Sequence, residues 1–364
     1  MHETVVSETL PPLLVDLALP PERRWDAVLA AERDTALALV AAAGTQLEGV
    51  PTLARSGFGA MFNAFDGPFQ EELGAWAEAL GESYGTLALL NCAYELDHFL
   101  FENVVGRIFG CTAGVVDGAP PRHVRTLDWP IPGMGQATRV FEFRQGARRF
   151  VSVGFPGFVG VLSGMVPGAY SVTINWAPPA DQPDFHWGPS FLLRTVLETC
   201  DTYAEAVERL ATTRLATSVF YTVCGAQPGE ACVIERTREE AVVRPGAGAR
   251  EVQSNHHVAA AFTGLNAQLA RYHETTGDPL VQNTLERRAN LDAALARVPV
   301  SEVVGEAWLA TLAVDEVTNF ETVQRMVFCP ADGTLVLDRV REGTPARAGE
   351  TCLWGRSTHS FPVA

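Results

Sequence analysis

The sequence predicts an α+β fold: an αββα sandwich of two antiparallel sheets between helix layers, entered by a helical N-terminal segment. Three observations predict it. Helical periodicity dominates before Cys111, short β-rich runs begin at Cys111, and the later chain passes from strands to helices and back to strands. With 47% apolar and 19% charged residues among 364, the chain buries a large core without disulfide staples.

Taken in order, Pro21 to Ala43 is helix-forming, with Pro and Glu in its first turn and apolar residues at Trp25, Val28, Leu29 and Leu37. A second helical stretch covers Gln70 to Tyr94. Strands follow at Cys111 to Val116, His123 to Leu127, Thr138 to Phe143, Arg148 to Phe155 and Tyr170 to Ile174, with Gln145-Gly146 as a hairpin tip. Helical pattern returns at Ser190 to Thr213, where Asp201-Thr202 followed by Tyr203-Ala204-Glu205-Ala206 reads as a cap inside a helix pair. Strands resume at Val219 to Cys224 and Ala231 to Glu235. Helices near Leu285 to Ala296 and Val303 to Leu312 precede a hairpin, Gln324 to Cys329 and Thr334 to Leu337, turned by Asp332-Gly333.

Charge and composition exclude several function classes. A formal charge of -16 repels phosphate backbones and anionic bilayers, so no nucleic-acid partner is expected. Residues 151 to 180 carry no charge over a length that spans a bilayer, but Pro156, Pro167, Pro178, Pro179 and the interspersed glycines mark turns between strands, so no stable membrane insertion is expected. Met1-His2-Glu3-Thr4 lacks a basic run followed by an apolar one, and the expectation is a cytoplasmic protein. The seven cysteines form no CxxC and no Cys/His cluster, which predicts buried, reduced thiols. His256-His257 and His273 lack a third ligand at helical spacing, so neither a metal nor a cofactor is assigned.

The residues that carry chemistry begin at Gly110-Cys111-Thr112, followed by His123-Val124-Arg125-Thr126-Leu127-Asp128-Trp129. If these strands pair antiparallel, Cys111, Arg125 and Asp128 come together. Pleating points Arg125 and Asp128 to opposite faces unless a bulge or strand end intervenes, so periodicity alone leaves their joint membership of one site open.

The pair CTAGVVDG and VRTLDW resembles the nucleophile strand and following strand of acid ceramidase and N-acylethanolamine-hydrolysing acid amidase, relatives of choloylglycine hydrolase. The Phe158 to Gly164 and Ser171 to Asn175 segments, Arg194 to Glu198, Gly229 to Arg236, Val252 to His256 and Glu286-Arg287-Arg288 are similar to further motifs of that family, and Leu19 to Trp25 resembles its pre-cleavage segment. The resemblance implies an N-terminal-nucleophile cysteine hydrolase that cleaves itself between Gly110 and Cys111. Residues 1–110 would be the α piece and 111–364 the β piece, the two staying associated. It implies Cys111 as nucleophile and base, Asp128 holding its amine, Arg125 holding charge near sulfur and substrate carbonyl, Asn175 and Asn255 as oxyanion donors, and Arg287 as a positioning group. The implied substrate is a small-molecule linear amide, its acyl group lipid-like or apolar. Two alternatives stand beside hydrolysis: acyl transfer to an amine, and an uncleaved, non-catalytic member of the fold. The chain departs from the family at Tyr94-Glu95, which the segment Leu96 to Gly110 separates from Cys111, and at Trp176, which stands where the family has a glutamate.

Overall fold

The computed structural model describes residues 2–46, 59–60, 62–100, 110–129, 131–246, 250–277, 283–299, 301–314, 316–347 and 349–363. Two sheets are present. The first runs, in spatial order, β1 (His2–Ser7), β15 (Thr351–Ser360), β14 (Thr334–Glu342), β13 (Thr322–Cys329), β4 (Arg122–Asp128), β3 (Cys111–Val116) and β12 (Arg250–Gln253). The second runs β11 (Ala241–Pro245), β10 (Ala231–Arg236), β9 (Val219–Gly225), β8 (Tyr170–Trp176), β7 (Ser163–Val166), β6 (Arg148–Gly154), β5 (Arg139–Gln145) and β2 (Leu13–Asp16). Pairing is antiparallel except at two edges, where β1 joins β15 and β2 joins β5 in parallel. Those edge strands, with β7, β11, β12 and β15, are additions to the elements read from pattern.

Helices cover both outer faces. The N-terminal helices α1 (Asp26–Gln46), α2 (Gln70–Leu80), α3 (Tyr84–Asn91) and α4 (Ala93–Leu100) lie on the side of the second sheet, and the short α5 (Met134–Ala137) packs against β14. The same layer holds α6 (Pro189–Thr199), packed against β6, β7 and β8, and α7 (Tyr203–Thr212), packed against β9, β10 and β11. After α8 (Ala267–Thr276), the first sheet is covered by α9 (Thr284–Leu295), packed on β3 and β12, and α10 (Glu306–Ala310), packed on β13. Between the sheets, Val140, Val151, Val153 and Met165 meet Met326, Phe328, Leu335 and Leu337 in one buried cluster. Each sheet thus buries both faces, one on the other sheet and one on helices, which is why its strands read as apolar runs without clean alternation.

Local chemistry explains the boundaries. The predicted Gln70 to Tyr94 helix is broken because Gly81 closes α2 at φ 71° and Ser83 opens α3 by accepting the Thr86 amide at 3.1 Å. The cap expected at Asp201-Thr202 forms at Thr202, as a capping box with Glu205, and starts α7. The uncharged stretch from 151 to 180 resolves into the end of β6, then β7 and β8, and no helix among the described residues is long and apolar enough to cross a membrane. All seven cysteines are buried and unpaired.

Candidate active site

Cys111 opens β3, and its neighbours follow from strand register. β3 pairs with β4 so that Cys111 faces Leu127 and Ala113 faces Arg125. Directly opposed residues share a face, which puts the Cys111 and Arg125 side chains together on the inner face, towards the second sheet. Arg125 donates from Nη2 to Cys111 Sγ at 3.3 Å and to the Ile174 carbonyl at 2.8 Å, and from Nη1 to the Leu162 carbonyl at 2.9 Å and to Ser163 Oγ. Backbone carbonyls of the second sheet therefore aim the guanidinium at sulfur.

Asp128 does lie on the opposite, helix-facing side, as pleating requires. It reaches the cysteine because Gly110 and Cys111 sit at a strand end. Its backbone amide donates to the Gly110 carbonyl at 2.9 Å, and its carboxylate packs so closely that a Cβ on Gly110 would lie 2.7 Å from Oδ2. Thr322 Oγ1 donates to Asp128 Oδ1 at 2.7 Å and Asn319 Nδ2 to Oδ2 at 3.0 Å. The question left open by periodicity is answered by position: the two residues approach Cys111 from opposite faces.

The remaining predicted residues converge on the Cys111 backbone. Its N–H donates to Asn255 Oδ1 at 3.0 Å, while its carbonyl accepts from Asn175 Nδ2 at 3.2 Å and from Arg287 Nη1 at 2.9 Å. Arg287, on α9, also donates to Thr112 Oγ1 and Asn255 Oδ1, at 3.0 and 2.8 Å, and lies 3.9 Å from Asp128. Asn255 Nδ2 donates to the Trp176 carbonyl at 2.8 Å. Cys111, Arg125, Asp128, Asn175, Asn255 and Arg287 thus form one buried constellation. In this geometry the amide nitrogens of both asparagines are directed at backbone carbonyls, and Asn255 presents its oxygen to the Cys111 nitrogen.

Electrostatics follow from burial. Loss of solvent pushes the Cys111 thiol up; Arg125 opposes that rise and Asp128 adds to it. Burial likewise raises the Asp128 carboxyl, against the pull of Arg287, Thr322 and Asn319. The thiol therefore needs a base to become a nucleophile. His256 is pushed down to about 4 by burial and bonds Ser254 and Thr284, and His257 bonds Glu235. No group of three or more metal-ligating side chains gathers among the described residues.

No family model matches the chain. It is 26% identical over 260 residues to the acid ceramidase of Mus musculus and 27% identical over 260 residues to that of Homo sapiens, each match covering 63% of this chain and 64% of the relative. The chain is similar in sequence to the acid ceramidases. The match spans just under two thirds of the length of those relatives, 64%. Among solved structures, the chain is similar to a Caenorhabditis elegans N-acylethanolamine-hydrolyzing acid amidase ortholog, with TM-score 0.48 and 24% identity over 61% of this chain and 93% of that one. It is also similar to a mutant of the conjugated bile acid hydrolase of Clostridium perfringens, with TM-score 0.44 and 11% identity over 70% and 97% of the respective chains.

Three features of the site carry little or no signal in the sequence. Asn319, in the turn before β13, and Thr322, its first residue, hold Asp128, and their only signal is a largely polar run, Thr318-Asn319-Phe320-Glu321-Thr322, ahead of an apolar strand. Trp176 turns its side chain away from the site, edge-on to His98 with centroids 5.2 Å apart, and serves the site through its carbonyl. Beside Thr322 and Trp129 opens a cleft of about 770 Å³, which shares Trp129, Ile131 and Met134 with an apolar crevice between α1, α3 and the loop that follows β6. The segment before Cys111 that departs from the family lies, over residues 101–109, outside the described residues.

Proposed function

We propose that the protein is a self-cleaving N-terminal-nucleophile amidase that hydrolyses a linear N-acyl amide through an acyl-thioester on Cys111. The observation that carries this reading is the convergence of side chains on one cysteine at the head of a strand, with Arg125 on its sulfur, Asn255 on its nitrogen and Asp128 against the preceding glycine. Sequence relation to the acid ceramidases supports the same chemistry.

In the first step the Cys111 thiol attacks the Gly110 carbonyl carbon and the acyl group moves from nitrogen to sulfur. Water then hydrolyses the ester, leaving the Gly110 carboxylate and a free Cys111 α-amine. That amine has a reference pKa of roughly 7.7 to 8.0 and supplies the base that the buried thiol lacks. Asn255 Oδ1, already 3.0 Å from this nitrogen, is placed to accept a hydrogen bond from it, and Asp128, packed against Gly110, to hold it from the other face. In turnover the amine takes the thiol proton as sulfur attacks the substrate carbonyl, then passes it to the leaving amine. Arg125 stabilises the charge on sulfur and on the developing oxyanion. The apolar crevice that adjoins the cleft supports an apolar acyl group.

Incubation of the purified protein with N-acyl amides of graded chain length, quenched in acid and analysed by mass spectrometry, tests this. Free acid in the medium and an acyl adduct on the Cys111 peptide, both lost in Cys111→Ala, are expected. Transfer of the acyl group to an added amine in preference to water would replace hydrolase by acyltransferase, and an intact substrate panel would overturn the reading.

A further inference from the structure

The segment that carries Asn255 is gripped from the other sheet. Asn255 follows β12, the edge strand of the first sheet, and precedes a loop with no regular structure until Thr263. On the far side of that loop, Glu235 of β10 is fully buried and gathers its donors: the Ala259 amide at 2.8 Å, the Val258 amide at 3.1 Å and His257 Nδ1 at 3.1 Å. Arg244 of β11 pairs with the same carboxylate at 2.6 Å and also bonds Glu251 and Gln253, the two β12 residues that lead into the loop. His257 continues the link through Nε2 to the Pro178 carbonyl at 3.3 Å, just beyond the strand that bears Asn175. Burial drives the Glu235 carboxyl up, but His257, Arg244 and the Ala259 amide outweigh it and leave the group below its ordinary value.

We infer that Glu235 is a positioning residue that fixes Asn255 on the Cys111 nitrogen. The inference rests on the amidase reading, in which that nitrogen is the working base. Thr284 holds the near side of the loop, accepting the Asn255 amide at 2.8 Å and the Ser254 hydroxyl at 2.7 Å. Glu235 holds the far side, at 257 to 259. Arg287 and the Trp176 carbonyl hold the Asn255 side chain, while Thr284 and Glu235 hold the backbone on its two sides; with the far side released, the backbone shifts about Thr284 and draws Asn255 off the Cys111 nitrogen. Glu235 is fully buried and its partner Arg244 is 13% exposed, and an ion pair so placed gives little net stability over an apolar pair of the same shape, so its value lies in the geometry it enforces.

Glu235→Gln tests this, because it keeps the size of the side chain and one acceptor for the loop amides while removing the acceptor for His257 and the charge facing Arg244. Against an amide that the wild type hydrolyses, kcat is expected to fall about 10- to 100-fold with KM within about twofold. Glu235→Asp, which restores the charge, is expected to recover part of the loss. A crystal structure of Glu235→Gln gives a readout independent of turnover: Asn255 Oδ1 withdraws from the Cys111 nitrogen by about 0.5 Å or more. If the variant is too unstable to isolate, His257→Asn removes one link and is held to the same two readouts. Unchanged kcat together with an unmoved Asn255 would overturn the inference, even if the melting temperature fell. A wild type inactive on every amide would overturn the amidase reading instead, leaving the crystallographic distance to decide the role of Glu235.

Discussion

At Cys111, burial and charge pull in opposite directions. The thiol sits at zero exposure, which favours its neutral form, while Arg125 3.3 Å away favours the thiolate. Arg125→Lys keeps a charge but cannot span Leu162, Ser163, Ile174 and Cys111 with one ammonium. The thiol then loses its partner and rises further, so the pH at which an electrophile labels Cys111 is expected to move up and amide hydrolysis to slow by about 100-fold. A labelling profile unchanged from the wild type would contradict that role. The neighbouring glycine is equally constrained. An alanine at 110 brings a methyl group to 2.7 Å from Asp128 Oδ2, so Gly110→Ala must displace either the carboxylate or the junction. Slower self-cleavage, by about 10- to 100-fold, is expected on sodium dodecyl sulfate gels over time, since about 1 Å of misplacement costs up to about 100-fold. The residues at this scale were legible as a set, through ordered motifs. What sequence did not carry was that Arg125 and Asp128, set on opposite faces by pleating, both approach Cys111, which depends on the register of Cys111 with Leu127, and that Asn255 offers oxygen to nitrogen, which depends on the pairing of β12 with β3.

The elements divide by the range of the contacts that make them. The Thr202/Glu205 capping box, the β13–β14 hairpin and α9 are set by neighbours in sequence, and each lies within a few residues of its predicted place. The strands β1 and β2 escaped because their partners, β15 and β5, are far along the chain and pair in parallel, which leaves no local signal. In α4 the chain has put polar residues where a helix meets the core. Glu95 is buried against Gly188, and burial raises its carboxyl from 4.5 to about 7. A raised acid binds its proton more tightly in the folded state, so its stabilising contribution is full below pH 4.5 and disappears as the pH rises through 7. Glu95→Gln removes that dependence. Relative to the wild type it is expected to gain roughly 3 kcal/mol at pH 8 and little at pH 4.5, read from urea midpoints. A gain equal at both pH values would show that ionisation of Glu95 plays no part.

The molecule as a whole ties its first hundred residues into both sheets. β1 and β2 each complete a sheet edge, and α2 is bolted to α6 by Glu72, which pairs with Arg194 at 2.6 Å and accepts from Trp25 at 2.6 Å and Arg24 at 2.9 Å. Arg194 in turn lies 4.8 Å from the Phe69 ring centroid. Both charges are fully buried, and without Glu72 the Arg194 guanidinium keeps one carboxylate, Glu198 at 2.8 Å: Glu72→Gln is expected to destabilise the fold by about 3 kcal/mol. If the chain is cut before Cys111, the pieces are expected to co-elute in gel filtration for the wild type and to separate at lower denaturant for Glu72→Gln. The αββα layering was legible from composition and element order. The interlocking of the N-terminal segment was not, because it is made by a carboxylate and a guanidinium 122 residues apart. The central claim, that Cys111 becomes the first residue of a catalytic chain, is tested most directly by intact mass spectrometry of the purified protein beside Cys111→Ala. Two fragments meeting at Gly110 and Cys111 in the wild type, with one unbroken chain in the variant, is the predicted result; an unbroken chain in both, or cleavage in both, would contradict it.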